Sequence, residues 1–265
     1  MRIDAHAYVG HWPFRQLRGN TCRGLLQKMD RYGVDRSIVS SIHGMFYKNP
    51  QAANEELARE VKPFGNRFIP FAAINPSYAD WEYDLDVCTR QLGMRGLRLY
   101  PQYHDYSIGD DRCIRLVKAA HKRGLPVAFS MRLIDNRQRS WLDIDREITL
   151  DEIAALVERV PDASYIVLHT LFGKESEKSA QVFTRARMGF DTIYGAGCGI
   201  VGPNAWDLNE ALVRYGKEKL VFGTAAPFRD YVSPLLRIEV FREAGEEARG
   251  LIWSGNITRL LSGAR

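Results

Sequence analysis

The sequence predicts a single α/β domain of the (β/α)8 or TIM-barrel type, on three observations. Its 265 residues are about the length of one such barrel. Short β-branched runs alternate with segments that carry apolar residues at helical spacing, and eight of each can be counted, the pattern of repeated βα units around a parallel sheet. No linker, low-complexity tract or shift in composition interrupts them, so residues 1–265 read as one domain. An open, doubly wound sheet is the alternative; the lack of a Gly-rich dinucleotide fingerprint speaks against it.

The expected strands start with Arg2 to His6, Ser37 to Ile42 and Phe68 to Ile74, continue with Gly96 to Tyr100, Pro126 to Ser130 and Tyr165 to His169, and finish with Asp191 to Tyr194 and Leu220 to Thr224. Between them, Gly24 to Met29, Asn54 to Val61, Trp81 to Leu92, Arg112 to His121, Leu150 to Val160, Ala205 to Tyr215 and Leu235 to Ala244 show helical spacing, with Glu175 to Met188 the weakest of the set. Gly33, Gly93, Gly124 and Gly216 stand where left-handed helix C-caps are expected, just ahead of the next strand.

Composition narrows the function classes. Apolar residues make up 45% and charged residues 26%, which is ordinary globular material, and the net charge of +5 is spread along the chain without a run of like charge or a nucleic-acid motif. Nucleic acid is therefore not an expected partner, whereas a positive field at a cleft would favour a small anionic substrate. No apolar run reaches the roughly 18 residues of a membrane span, and Met1-Arg2-Ile3-Asp4 enters a strand directly, so the chain reads as cytoplasmic and not membrane-bound. Cys22, Cys88, Cys113 and Cys198 lie far apart and read as free thiols.

In a barrel of this kind the active site lies at the C-terminal ends of the strands, and the histidines concentrate there. Of six, His6 ends the first strand, His11 follows it, His43 ends the second, His104 follows the fourth and His169 ends the sixth; His121 falls within a helix. Imidazole is suited both to proton transfer and to metal ligation near neutral pH, so convergence of His6, His104 and His169 points to chemistry. Strand alternation adds to this. If His6 faces the barrel interior, Asp4 and Tyr8 do too; Leu97 and Leu99 facing the helices turn Arg98 and Tyr100 inward, and Ser130 and Arg132 share the inward phase of strand five. An interior arginine must be paired or serve a ligand. For Arg98 that leaves two readings, an ion pair with a carboxylate such as Asp4, or a substrate anion. Arg132 offers a planar donor suited to a carboxylate or phosphate. Tyr100, Tyr103 and His43 complete the expected substrate-binding set, while Arg15, Arg18 and Lys48 read equally well as solvated charges. Trp12-Pro13-Phe14 and Met45-Phe46-Tyr47 read as pocket walls or an oligomer contact, and Trp141 as a lid.

On these residues the chain resembles the amidohydrolase superfamily, in its amidohydrolase-related branch, which includes decarboxylases of aromatic acids and lactone hydrolases. Ile3-Asp4-Ala5-His6-Ala7-Tyr8-Val9-Gly10 resembles that branch's D-x-H-x-H-x-G, Gly96 to Pro101 its G-x-K-L-H-P, Phe222 to Phe228 its F-G-S-D-Y-P-F, and the close from Ile252 to Leu261 its G-N-A-x-R-L-F. The resemblance implies a metal site from two histidines of strand one, one each from strands five and six, and an aspartate from strand eight. Here His6 and His169 match, but Tyr8, Ser130 and Ala225 stand at the other three positions. A catalytic zinc needs about three protein ligands, so the expectation is no cofactor, or a divalent metal such as zinc held weakly by His6 and His169, with His104, His43 or Cys198 as relocated ligands.

Two functions follow. One is a metal-independent or weakly metal-dependent hydrolase or lyase (lactone or amide hydrolysis, or decarboxylation) acting on a small carboxylated molecule. Arg98 and Arg132 would hold the anion, His6, His104 and His169 would supply acid and base, and Tyr8, Tyr100 or Tyr103 would donate to an oxyanion. The other is a non-catalytic barrel that pairs with a metal-binding paralogue. Either admits a homo-oligomer.

Overall fold

A computed structural model of the chain describes residues 1–135, 138–193 and 206–263. Among them, eight parallel strands alternate with helices in chain order: β1 (Ile3–Val9), α1 (Cys22–Tyr32), β2 (Arg36–Ser41), α2 (Gln51–Val61), β3 (Phe68–Pro70), α3 (Trp81–Arg90), β4 (Leu97–Leu99) and α4 (Asp111–Lys122) form the first half. The second half is β5 (Val127–Ser130), α5 (Leu150–Arg159), β6 (Tyr165–Leu168), α6 (Glu177–Arg185), β7 (Met188–Asp191), α7 (Trp206–Tyr215), β8 (Leu220–Val221) and α8 (Val232–Glu239), followed by α9 (Gly245–Gly250) and α10 (Asn256–Leu261). Ladders join β1-β2-β3 and β4 through β8. Two seams close the ring: Ala72 donates to the Gly96 carbonyl at 2.9 Å, and Tyr8 donates to that of Ala226 at 2.7 Å.

Local chemistry sets the element ends. Thr21 caps α1 by accepting from the Gly24 amide, and Thr149 and Glu152 form a reciprocal capping box on α5. Gly33, Gly93, Gly124 and Gly216 all have positive φ, as their positions before strands require. The expected seventh strand is displaced: it runs over Met188–Asp191 and ends where the sequence pattern begins it. Gly189 disguises it, since an added Cβ there would lie 2.8 Å from Val221 and 2.9 Å from Leu260. Tyr194 and Cys198 lie outside the described residues.

The barrel interior is layered. At the bottom, Ile3, Ala5, Ile38, Ile69, Phe71, Ala128, Ile166 and Val221 pack with Ile257 and Leu260 of α10, which plugs that end. Between the strands and their surrounding helices lies the larger apolar layer, including Leu97, Leu99, Phe129, Val167 and Phe190. Over the opposite mouth, Tyr8, Trp12, Ile42, Tyr100, Leu133 and Phe228 form an aromatic-rich cap. A polar layer is held between bottom and cap.

One phase expectation fails. The β1–β2 register shifts between Asp4 and Ala7, a bulge that places Ile3 and Ala5 in the interior cluster while still directing His6 and Tyr8 inward beyond it. Asp4 is thereby turned onto Thr224, near Tyr231 at the start of α8, and makes no ion pair with Arg98.

Phe71 packs its ring flat over Gly96, where a Cβ would sit 2.4 Å from the ring. Gly96→Ala is expected to lower stability by about 1–3 kcal/mol through overpacking, measured by urea unfolding; an unchanged midpoint would contradict this packing.

Candidate active site

Arg98, from the middle of β4, projects into the polar layer and is fully buried. The two N–H groups of its Nη2 are shared among His6 Nε2 at 3.1 Å, Ser130 Oγ at 2.8 Å and, in a closer contact, the Tyr8 hydroxyl. A guanidinium can only donate, so His6 Nε2 must be an acceptor and the ring proton must lie on Nδ1. That nitrogen faces Asp191 Oδ2 at 2.6 Å. Asp191 in turn accepts the backbone amides of His169 at 3.0 Å and Thr170 at 3.2 Å. The result is a continuous path, Asp191 to His6 to Arg98, in which a neutral imidazole separates a carboxyl from a cation.

Gly223, just past β8, makes this approach possible. A Cβ at that position would stand 3.0 Å from the His6 Cβ and 3.1 Å from that of Asp191. The His6 and His169 rings meet edge to face, with centroids 4.6 Å apart. Burial, with the Arg98 charge next, holds His6 well below the ordinary histidine range; burial, with His6 next, does the same to His169. Burial raises Tyr8, which keeps its phenol protonated, and it raises Asp191 as well. His169, just past β6, and Ala225, in the segment after β8, both have positive φ without being glycine, backbone strain of the kind that gathers at functional sites.

The sequence-derived residues separate into two groups. His6, Tyr8, Arg98, Ser130 and His169 come together, and Tyr100 lies buried in the cap above them. The others are tied up elsewhere. His104 Nε2 binds the Gly44 carbonyl at 2.9 Å, and burial lowers its pKa to about 4. His43 accepts from the His11 amide through Nε2 and binds Glu56 through Nδ1, each at 2.9 Å. Arg132 pairs with Glu147 at 3.1 Å, and the Tyr103 hydroxyl donates to Asp143 at 2.9 Å, both anchoring the loop after β5. Trp141 of that loop is 87% exposed. The expected Arg98–Asp4 ion pair does not form, because the bulge in β1 commits Asp4 to Thr224 at 2.6 Å and to the His6 amide at 2.9 Å. Asp191 was missed by the sequence pattern; beginning strand seven three residues earlier would have placed it at the strand end, where function is sought.

The family model for Amidohydro_2, amidohydrolase, matches residues 3–262, and the chain belongs to this family. Among solved structures it is similar to 2,6-dihydroxybenzoate decarboxylase from Rhizobium, with TM-score 0.73, 16% identity and 98% of each chain covered. It is similar also to 5-carboxyvanillate decarboxylase from Sphingomonas paucimobilis, with TM-score 0.73, 15% identity and 99% of each chain covered. A third is a dihydroxybenzoic acid decarboxylase from Polaromonas with bound manganese and the inhibitor 2-nitroresorcinol, with TM-score 0.72, 16% identity, and 98% of this chain and 96% of that one covered. At these identities the likeness establishes the barrel fold. No curated protein matches.

The donors among the described residues do not make a fitting set for a metal such as that manganese. Among the described residues no group of three His, Cys, Asp or Glu side chains is placed to hold one. Both His6 nitrogens are engaged, one by a carboxyl and the other by a guanidinium. Ala225 packs with Ile193 and Leu171 in a small apolar patch.

Burial raises Asp4 to about 7, against hydrogen bonds from Thr224 and His6 that lower it. Its carboxyl then keeps a proton in the folded state that the unfolded chain releases near pH 4, so this group's contribution to stability falls as pH rises from about 4 to 7. His6 and His169, lowered on folding, act oppositely, their contribution falling as pH drops below about 6.5. Asn stays neutral at every pH and keeps a carbonyl acceptor for the His6 and Thr224 amides, so Asp4→Asn is expected to gain stability relative to wild type as pH increases across that window. Urea unfolding at a series of pH values checks this, and parallel profiles for the two proteins would refute it.

Proposed function

We propose that this chain is an enzyme acting on a small carboxylated molecule, an aromatic acid above all, whose carboxylate is held by Arg98. The observation that carries the reading is a fully buried guanidinium whose Nε and Nη1 have no hydrogen-bond partner and which makes no salt bridge with a carboxylate among the described residues. Leaving buried donors unmade costs about 1–3 kcal/mol each, more for a charged group, and a ligand carboxylate removes that cost. The aromatic cap of Tyr8, Trp12, Tyr100 and Phe228 supports an aromatic ligand body, in keeping with the dihydroxybenzoate and carboxyvanillate named for the similar structures.

Decarboxylation of a hydroxylated aromatic acid is the favoured reaction. The carbon–carbon bond breaks, its electron pair stays on the ring, carbon dioxide leaves and one proton is added to the ring carbon. Tyr8 is the proton donor this site offers: its protonated hydroxyl lies 3.1 Å from His6 Nε2, and His6 is backed by Asp191. The neutral His169 imidazole serves as an acceptor for a substrate hydroxyl proton. Hydrolysis of a lactone or amide draws on the same groups, with His169 accepting a proton from water and Arg98 and Tyr8 facing the developing oxyanion.

A second reading rests on the closed cap. Tyr8 and Trp12 both pack edge to face against Phe228, with centroids 5.2 and 5.0 Å apart, so a ligand reaches Arg98 only if this cap opens. A barrel whose cap stays shut is the non-catalytic subunit of a paralogue.

The test is turnover of a panel of hydroxy- and methoxybenzoic acids, followed by chromatography, with lactones assayed in parallel. The proposal expects at least one substrate, with kcat/KM reduced by about 10²–10³ in Arg98→Lys. Turnover indifferent to Arg98→Lys would overturn the assignment, and absence of both turnover and aromatic-acid binding would leave the non-catalytic reading.

A further inference from the structure

Three Lewis-basic atoms from two strands converge in the polar layer: His6 Nε2 and the Tyr8 hydroxyl from β1, and Ser130 Oγ from β5. Convergence of this kind creates a site for a cation, and the atom in it is Nη2 of Arg98. Asp191 supplies the anionic end of the same array through the His6 ring, 2.6 Å away. The Arg98 guanidinium carbon also lies 4.7 Å over the Tyr8 ring, a cation–π placement that further favours positive charge here.

We infer that Arg98 is the resident cation of this centre, a covalently attached group standing in for a divalent metal ion. Three features support the substitution beyond the missing ligands. A guanidinium is satisfied by neutral acceptors with lone pairs, and those facing it are a phenol, a hydroxyl and an imidazole nitrogen, each a weak or singly placed metal donor, with no group of three His, Cys, Asp or Glu among the described residues to complete a metal shell. Neighbouring backbone is shaped for close packing of this array, with Gly223 admitting the His6–Asp191 contact. Finally, a divalent ion and Nη2 cannot both sit on His6 Nε2, because they need the same lone pair. The guanidinium therefore both fills the site and refuses the metal, whichever reaction the chain performs.

Equilibrium dialysis of the intact protein against Mn²⁺ and Zn²⁺, with bound metal measured by plasma mass spectrometry, tests the inference independently of activity. Wild type and Arg98→Lys should each retain less than about a tenth of an equivalent, and EDTA should leave the wild-type melting temperature unchanged. Arg98→Met combined with Tyr8→His removes the cation and restores a second imidazole, and should raise retained metal at least about tenfold, with further loss on adding His6→Ala. One equivalent in wild type that disappears in His6→Ala would overturn the inference. So would a double variant that is folded by circular dichroism yet retains no more metal than wild type, because the guanidinium would then not be what excludes it. If that variant does not fold, wild type decides alone: exclusion of both metals together with indifference to EDTA supports the resident cation, and uptake refutes it.

Discussion

A positive charge sealed inside a barrel has to be compensated, and Arg98 is compensated indirectly. No carboxylate among the described residues pairs with it; its Nη2 rests on a phenol, a hydroxyl and an imidazole, and the imidazole passes the demand on to Asp191. Because arginine cannot accept a hydrogen bond, this one contact fixes the His6 tautomer, the tautomer fixes the partner on Nδ1, and the partner has to lie at the end of β7. Geometry elsewhere follows from that requirement. The bulge in β1 turns His6 into the barrel while sending Asp4 outward, Gly223 leaves room between β8 and the two side chains, and Asp191 is held in place by two backbone amides from the end of β6.

The layering puts this array to use. Below it, a floor of apolar side chains is closed by α10; above it, the aromatic cap separates the charge from solvent. In such surroundings electrostatic interactions are stronger than in water, and unmade hydrogen bonds cost more. Under the proposed function, the two unpartnered guanidinium nitrogens beneath these aromatic rings receive an anion with an apolar body. His104, His43, Tyr103 and Arg132 frame it, fastening the loops after β2, β4 and β5 through bonds to Gly44, Glu56, Asp143 and Glu147.

Much of this was readable from residues alone. Leu97 and Leu99 flanking Arg98 reveal its inward direction because a short strand has only two faces, and histidines from β1 and just past β6 mark the end of the barrel where the polar layer gathers. Asp4 was misplaced because a bulge depends on pairing between strands, which no single strand's pattern displays. Asp191 was hidden by Gly189, whose place in β7 reflects the bulk of Val221 and Leu260 across the interior. The commitments of His104 and His43 were invisible for a similar reason: a backbone carbonyl and a glutamate from another element take their nitrogens, and sequence spacing carries no sign of either.

A neutral His6, protonated on Nδ1, bridges Asp191 and Arg98. Proton–nitrogen NMR of ring-¹⁵N-histidine protein, with the His6 signals assigned through His6→Gln, reads that state directly. The expected spectrum has a protonated Nδ1 with a strongly deshielded proton, an unprotonated Nε2, and no titration between about pH 5.5 and 8, where a free imidazole changes charge. A proton on His6 Nε2, or titration of the ring within that range, would contradict the account.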